Sequence, residues 1–245
     1  MGRSKTGGLT GLLAVALCTT AAWAKAEAGA APVRFGISLG GQFPISATAE
    51  VQLELPGRFH VTAGGGVMPG AYRRLVNQAA IELGAWPADL GTFAVDHVQQ
   101  TSVLTGALGW RPFAGKGGFF IELNAARVEL SVSAYTAEVM STFAPGASLE
   151  LSDGARHVER LNLDLTMDLV GGQIGWMWDV DPVFVRAGIG GLAAVRATAR
   201  PSVDWSDGSN SSLGLLEEIA FDWTSLFLRN VKVPTATLKL GLRFF

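Results

Sequence analysis

Apolar and polar side chains alternate at every second residue along much of this chain, and this pattern limits what it can fold into. Successive side chains of a β-strand point to opposite faces, so each such segment predicts a strand with two unlike faces. We identify eight alternating segments, at residues 33–41, 47–55, 59–67, 98–110, 118–130, 161–178, 183–199 and 235–245. The sequence therefore predicts an all-β fold.

The two faces of these segments differ in charge. The apolar face is nearly free of charge. In the last segment it carries Leu238, Leu240 and Leu242, and in the sixth segment we assign to it the apolar side chains of residues 161–169. Opposite charges can pair inside an eight-stranded barrel, whose interior is only wide enough for side chains. An antiparallel barrel with lipid outside is favoured over a soluble sandwich, which would leave the charges in water. The charged residues assigned to the interior are Glu50, Glu54, Glu122, Asp164, Asp168, Arg34, Arg186, Arg196, Lys239 and Arg243.

The alternation is interrupted at two places. It slips near Arg127, which indicates a bulge or the end of the membrane-spanning band. It also changes phase at Gly171 and Gly172, and a glycine-assisted bulge is the expected cause. The run Gly64-Gly65-Gly66 is not followed by a phosphate-binding helix pattern, and we interpret it as strand glycines where two backbones approach closely.

The connections between the segments alternate in length. Short ones are expected around residues 56–58, 111–117 and 179–182, and long ones at about 69–97, 131–160 and 200–233. Only the short connection at 42–46 breaks this order. Short turns at one end and long loops at the other are typical of outer-membrane barrels, in which the short turns face the periplasm.

Two stretches of the long loops have helical spacing of their apolar residues. We expect short helices there, which cap the barrel mouth, lie on the membrane surface or bind a partner. The first set is Tyr72, Leu75, Val76, Ala79 and Leu83, and the second is Leu216, Ile219, Ala220, Trp223, Leu226 and Phe227.

Residues 1–24 have the features of a secretory signal. Arg3 and Lys5 precede a short apolar core, and Ala22-Trp23-Ala24 supplies a cleavage site. We expect a mature barrel domain of residues 25–245. Because Cys18 is the only cysteine, the mature domain would form neither disulfides nor thiolate metal sites. Its charge balance is mildly acidic and gives no indication of nucleic-acid binding.

The last segment carries a recognisable signature. The run Leu238-Lys239-Leu240-Gly241-Leu242-Arg243-Phe244 resembles the closing strand of small bacterial outer-membrane β-barrel proteins, although Phe245 displaces its terminal aromatic by one residue. The runs Gly109-Trp110-Arg111-Pro112-Phe113 and Gly118-Phe119-Phe120-Ile121-Glu122 are similar to hairpins of that family. The resemblance implies an up-and-down transmembrane barrel of about eight strands in the outer membrane. It also implies that the barrel-assembly machinery reads Leu238, Leu240, Leu242 and Phe244.

The leading functional hypothesis is a structural or binding role exercised through the long surface loops by a monomeric protein. No nucleotide-binding, metalloprotease, hydrolase or calcium-binding motif is present, so we expect no catalytic residues, cofactor or metal. One alternative is a lipid-modifying esterase or acyltransferase that uses His97 or His157. His157 has Ser152, Asp153 and Glu159 nearby in sequence.

Another alternative is a narrow porin or transporter, which would need a lumen less filled than the charges imply. His60 lies in a predicted strand, and we expect it to be a hydrogen-bonded lumen residue.

Overall fold

Eight long antiparallel strands form a closed ring in the computed structural model, which describes residues 33–82, 88–113, 118–135, 158–205, 210–211 and 232–244. Neighbours in the chain are neighbours in the ring, and the last strand closes it by pairing with both the first and the seventh. The predicted up-and-down barrel is confirmed. The strands are β1 (Arg34–Phe43), β2 (Ser46–Leu55), β3 (Phe59–Val67), β4 (Val98–Trp110), β5 (Gly118–Tyr135), β6 (Val158–Val180), β7 (Val183–Trp205) and β9 (Lys232–Phe244), and a two-residue β8 (Asn210–Ser211) pairs with β7.

The barrel is taller on one side than on the other. Strands β5, β6 and β7 contain 18, 23 and 23 residues, whereas the other long strands contain 9 to 13. About 9 to 11 residues of a tilted strand suffice to cross a bilayer. Three neighbouring strands therefore extend well beyond the length that a membrane needs.

The two ends of the barrel differ in their connections. One end carries the 3-10 turn Pro56–Arg58 and the tight turn at Asp181 and Pro182, and β1 begins and β9 ends there. We call it the short-turn end. The opposite, long-loop end carries two helices, α1 (Gly70–Glu82) and α2 (Ala88–His97).

The helix predicted around Tyr72 is confirmed as α1, whereas α2 was not predicted. Tyr72 packs edge-on against Phe43, whose side chain points outward, so α1 lies at the outer rim of the barrel. The second predicted helix, around residues 216–227, lies outside the described residues. No helix in the described ranges is long and apolar enough to cross a membrane.

Toward the short-turn end, outward-facing side chains are apolar and inward-facing ones are polar. Leu39, Leu123 and Leu240 are about 60% or more exposed on the outer wall. The predicted faces of β1 to β5 and β9 are confirmed here. Buried inward-facing polar residues include Ser38, Glu50, Gln52, Glu54, His60, Thr62, Glu122, Gln173, Arg186, Thr237, Lys239 and Arg243.

The prediction for residues 161–169 was wrong, because the faces of the strand are reversed there. Leu165 and Leu169 are buried inside the barrel, and Asp164 and Asp168 point outward. This half of β6 lies beyond the length needed to cross a membrane. An outer wall beyond a bilayer would meet water, and the apolar side chains that turn inward there form a core.

The bulge predicted at Gly171 and Gly172 is also absent, since β6 pairs with β5 in unbroken register from Met177 to Arg160. For the same reason β5 has no bulge at Arg127. Arg127 instead lies where the outer wall becomes charged.

Two more charges do not lie in the lumen. A bulge in β7 inserts Val195 between residues that pair with β6, so that Arg196 is exposed on the outer wall. Arg34 is exposed at the start of β1, at the short-turn end and outside the enclosed part of the barrel.

An apolar cluster fills the barrel toward the long-loop end. Its buried members come from β4 to β7 and from the β1–β2 turn, and Met68, Leu130, Met167, Ala194 and Val233 pack against them. The interior thus has a polar part toward the short-turn end and an apolar part toward the long-loop end. We call the first the polar lumen; the second, the apolar cluster, comprises Ile45, Val103, Ala126, Val128, Leu169 and Leu192.

Candidate functional site

Two arginines and two carboxylates close the polar lumen at the short-turn end. Arg243 of β9 lies 2.8 Å from an oxygen of Glu54 and 2.8 Å from one of Asp179. Arg111, which follows β4, lies 3.3 Å from Glu54 and 3.1 Å from Asp179. Each carboxylate therefore contacts both cations. We call these four residues the short-turn ion cluster.

A layer of large apolar side chains lies next to this cluster. Phe120, Met177 and Phe184 are almost completely buried. The Arg243 guanidinium lies 5.2 Å from the centre of the Phe184 ring, and that of Arg186 lies 4.8 Å from the Phe120 ring. Cation–π contacts of this length favour a charged guanidinium out of water. The layer separates two groups of buried charges.

Glycines on the lumen face make room for these side chains. A Cβ atom on Gly241 would meet the Phe184 ring and lie 2.7 Å from the carbonyl oxygen of Ile37. A Cβ on Gly109 would lie 2.6 Å from Cγ of Glu122. Large lumen side chains therefore depend on glycine at facing positions.

Glu122 is the centre of the next layer. Its carboxylate contacts Arg186 and His60 and accepts a hydrogen bond from Gln173. All four side chains are buried, and they come from four different strands. The prediction that His60 is a hydrogen-bonded lumen residue is confirmed.

A second ion pair lies beside the Glu122 layer. The Lys239 ammonium is 2.5 Å from Glu50, and Thr105 donates a hydrogen bond of 3.2 Å to the same carboxylate oxygen. Thr237 donates a hydrogen bond of 2.8 Å to Gln173 and so extends the Glu122 layer to β9. The charges of the polar lumen are therefore paired across the barrel.

Very little open space is left among these side chains. A cavity of about 10 Å³ is bounded by Gln42, Glu50, Thr62, Thr105, Gln173 and Lys239, among others. This is room for about one water molecule. Among the described residues, this network and the apolar cluster together occupy the interior.

The positions of the described residues do not support the alternative of a lipid-modifying enzyme. His97 ends α2 at the long-loop end and makes contacts of its own. Glu159 is exposed at the start of β6. His157, Ser152 and Asp153 lie outside the described residues. No group of three or more His, Cys, Asp or Glu side chains suited to a metal ion occurs among the described residues.

The outer wall carries aromatic side chains near the short-turn end. Trp110, Phe113, Trp176 and Trp178 are each between 43% and 66% exposed. Indole and phenyl rings prefer the interface between lipid and water.

Sequence reasoning missed Arg111 and Asp179 as lumen charges. Both are the first residues of predicted short connections, so they resemble ordinary turn residues. The available signal was their position one residue beyond Trp110 and Trp178, which face outward at the ends of their strands.

Comparison with known proteins shows similarity in structure only. No family model matches the chain, and no curated protein matches its sequence. The major outer membrane protein of Thermus thermophilus matches with a TM-score of 0.54 and 12% identity, over 87% of this chain and 100% of that one. The N-terminal β-barrel domain of Pseudomonas aeruginosa OprF gives 0.38 and 10%, over 86% and 96% of the two chains, and CarO of Acinetobacter baumannii gives 0.33 and 11%, over 87% and 98%. The match to the Thermus thermophilus protein shows that the chain has the fold of a small bacterial outer-membrane β-barrel.

Proposed function

We propose that this chain is an integral protein of the bacterial outer membrane with a structural or binding role at its long-loop end. The observation that carries the proposal is the pairing of an exposed apolar wall with a filled, charged lumen. A soluble protein would not leave Leu39, Leu123 and Leu240 at its surface while it buries Arg186 and Lys239. Lipid is the solvent that suits this wall.

Biogenesis follows from the same proposal. Residues 1–24 direct export and are removed, and residues 25–245 insert as a monomer. Leu238, Leu240, Leu242 and Phe244 point outward from β9, where the barrel-assembly machinery can read them.

The long-loop end is the part available for binding. Strands β5 to β7 extend beyond the membrane on one side, and α1 and α2 lie at the same end. A filled interior supports a role for this outer surface rather than transport. Neither a cofactor nor a catalytic step is part of the proposal.

Heat-modifiable migration tests the membrane assignment. Protein extracted from purified outer membranes should migrate as a compact species in detergent gels and shift to its full apparent mass only after boiling. Recovery of the processed chain from the periplasm without detergent would contradict the proposal.

Conductance in planar bilayers tests the porin alternative. The intact barrel should pass almost no current, because the short-turn ion cluster, the layer of Phe120, Met177 and Phe184, and the apolar cluster lie in series along its axis. Steady single-channel currents from the unmodified protein would favour a narrow porin instead.

A further inference from the structure

The outer wall of β5 to β7 changes from apolar to charged at a single level. Ala125, Val170 and Ala193 lie side by side in neighbouring strands. Two residues further toward the long-loop end of β5, Arg127 pairs with Asp168, which pairs in turn with Arg196. This row marks the edge of the apolar wall on the tall side of the barrel.

The exposed charges on β7 and β9 just beyond this edge are basic. Arg196 and Arg200 are exposed on β7, and Lys232 is exposed on β9 opposite Ala193. Neither arginine forms a salt bridge with any residue in the described ranges. On the outer wall, Lys232 lies at this edge, Arg196 lies next beyond it, and Arg200 lies four residues further along β7.

The acidic side chains that face these arginines across the strands accept hydrogen bonds from other residues. Asp168 accepts two hydrogen bonds from Arg127, of 2.7 and 3.1 Å. Asp164, opposite Arg200, accepts one of 2.7 Å from Ser131. Among the described residues, the arginines of β7 therefore keep donors for a further ligand.

The bulge in β7 places an apolar and a basic side chain together at this edge. Val195 is inserted between the residues that pair with β6, and it is 60% exposed beside the exposed Arg196. Bulges commonly re-aim a side chain in this way. A molecule that contacts both residues must carry an apolar part and an anionic part.

We propose that Arg196, Arg200 and Lys232 bind the phosphate groups of an anionic lipid in the leaflet at the long-loop end. This inference rests on the proposed membrane location, which puts lipid headgroups at the edge of the apolar wall. Arginine presents paired donors that match phosphate oxygens, and lysine adds a point charge. Arg196 and Arg200 are four residues apart on one strand, or about 13 Å, so a lipid with two separated phosphate groups can engage both.

Native mass spectrometry of the folded protein in a neutral detergent tests the inference. The probes are a bis-phosphorylated, acylated glucosamine disaccharide and the same lipid after dephosphorylation. The unmodified protein should retain the phosphorylated lipid preferentially. In the Arg196→Gln, Arg200→Gln variant its affinity should fall by about fivefold for each charge removed.

The matched control removes two exposed charges at the opposite end, through Arg34→Gln and Arg58→Gln. It should bind the phosphorylated lipid as the unmodified protein does. Equal affinity for the two lipids, or an equal loss in both variants, would overturn the inference, because the contact would then depend on acyl chains or on net charge alone.

Heat-modifiable migration of the same samples separates this inference from the proposed function. A barrel that shows the shift but does not discriminate between the lipids overturns the inference and leaves the membrane assignment intact. A chain that never forms the compact species overturns the proposed function, and the inference with it.

Discussion

The interior near the short-turn end is filled by paired charges, whereas the interior near the long-loop end is filled by apolar side chains. The same strands build both parts. On β5, Glu122 lies in the polar lumen and Val128 in the apolar cluster, three inward positions further along. On β6, Gln173 lies in the polar lumen and Leu169 in the apolar cluster, two inward positions further along.

This contrast teaches that the face of a strand does not have a fixed polarity. Where lipid surrounds the barrel, the outer wall must be apolar, and charges are placed inside where they can pair. Where water surrounds it, apolar side chains gain by leaving the surface. The reversal on the tall side lies between the row of Val170 and the row of Asp168, and we place the membrane boundary there.

The largest effect is expected in the polar lumen. Arg186→Met leaves Glu122 without its cationic partner, and breaking a buried pair in this way costs about 3–5 kcal/mol. Urea unfolding in lipid vesicles, followed by tryptophan fluorescence, measures the change. Adding Glu122→Leu should recover much of the loss. A single variant as stable as the unmodified protein would show that water already screens this site.

The apolar cluster should respond to lost volume rather than to lost charge. Leu169→Ala creates a cavity in a packed core, and such changes cost about 2–5 kcal/mol. Val170→Ala on the outer wall of the same strand is the control, because lipid chains can fill the space it leaves. Equal losses in the two variants would argue against a closed core at this level.

The boundary itself can be located by placing arginine on the outer wall of β5. Leu123→Arg puts a cation in the lipid-facing part, at a cost of up to about 2–4 kcal/mol. Ser133→Arg puts the same side chain on the same face beyond Arg127, where we expect almost no cost. Unfolding free energies in vesicles give both values, and similar penalties at the two positions would refute the proposed boundary.

The smallest effect is expected from His97→Ala at the long-loop end. If this half of the molecule has no catalytic role, lipid A profiles of cells that carry the variant should match those of cells with the unmodified protein. His157→Ala is the companion variant. An altered acylation pattern in either would revive the enzyme hypothesis.

The strands themselves were predictable because alternation is a local property. The starts and ends of β3 and β4 agree with the prediction, and β9 was recognisable from its closing pattern. The faces near the short-turn end were predictable as well, since charge is rarely tolerated on a lipid-facing wall.

The reversal in β6 was not predictable from alternation alone. A strand with leucine on one face and aspartate on the other fits lipid outside or a core inside equally well. The phase change at Gly171 and Gly172 was the informative signal, but it reports a change of surroundings and not a bulge. A bulge does occur, in β7 at Val195, where the local sequence shows no break.

Contacts between side chains across the lumen also could not be predicted from local sequence patterns. Arg111 and Asp179 meet because β4 and β6 curve around one axis, and nothing in either segment specifies the other. Helix α2 was missed because it is only 10 residues long and contains Gly91, which is typical of loops.

The pairing of β9 with both β1 and β7 has a consequence for how the molecule is made. Phe35 of β1 pairs with Phe244 of β9, about two hundred residues later in the chain. The barrel therefore cannot close before its last strand has been synthesised. Until β9 arrives, two rows of backbone amides and carbonyls stay without partners, and such rows invite aggregation. Truncation before β9 therefore removes the strand that covers both edges at once.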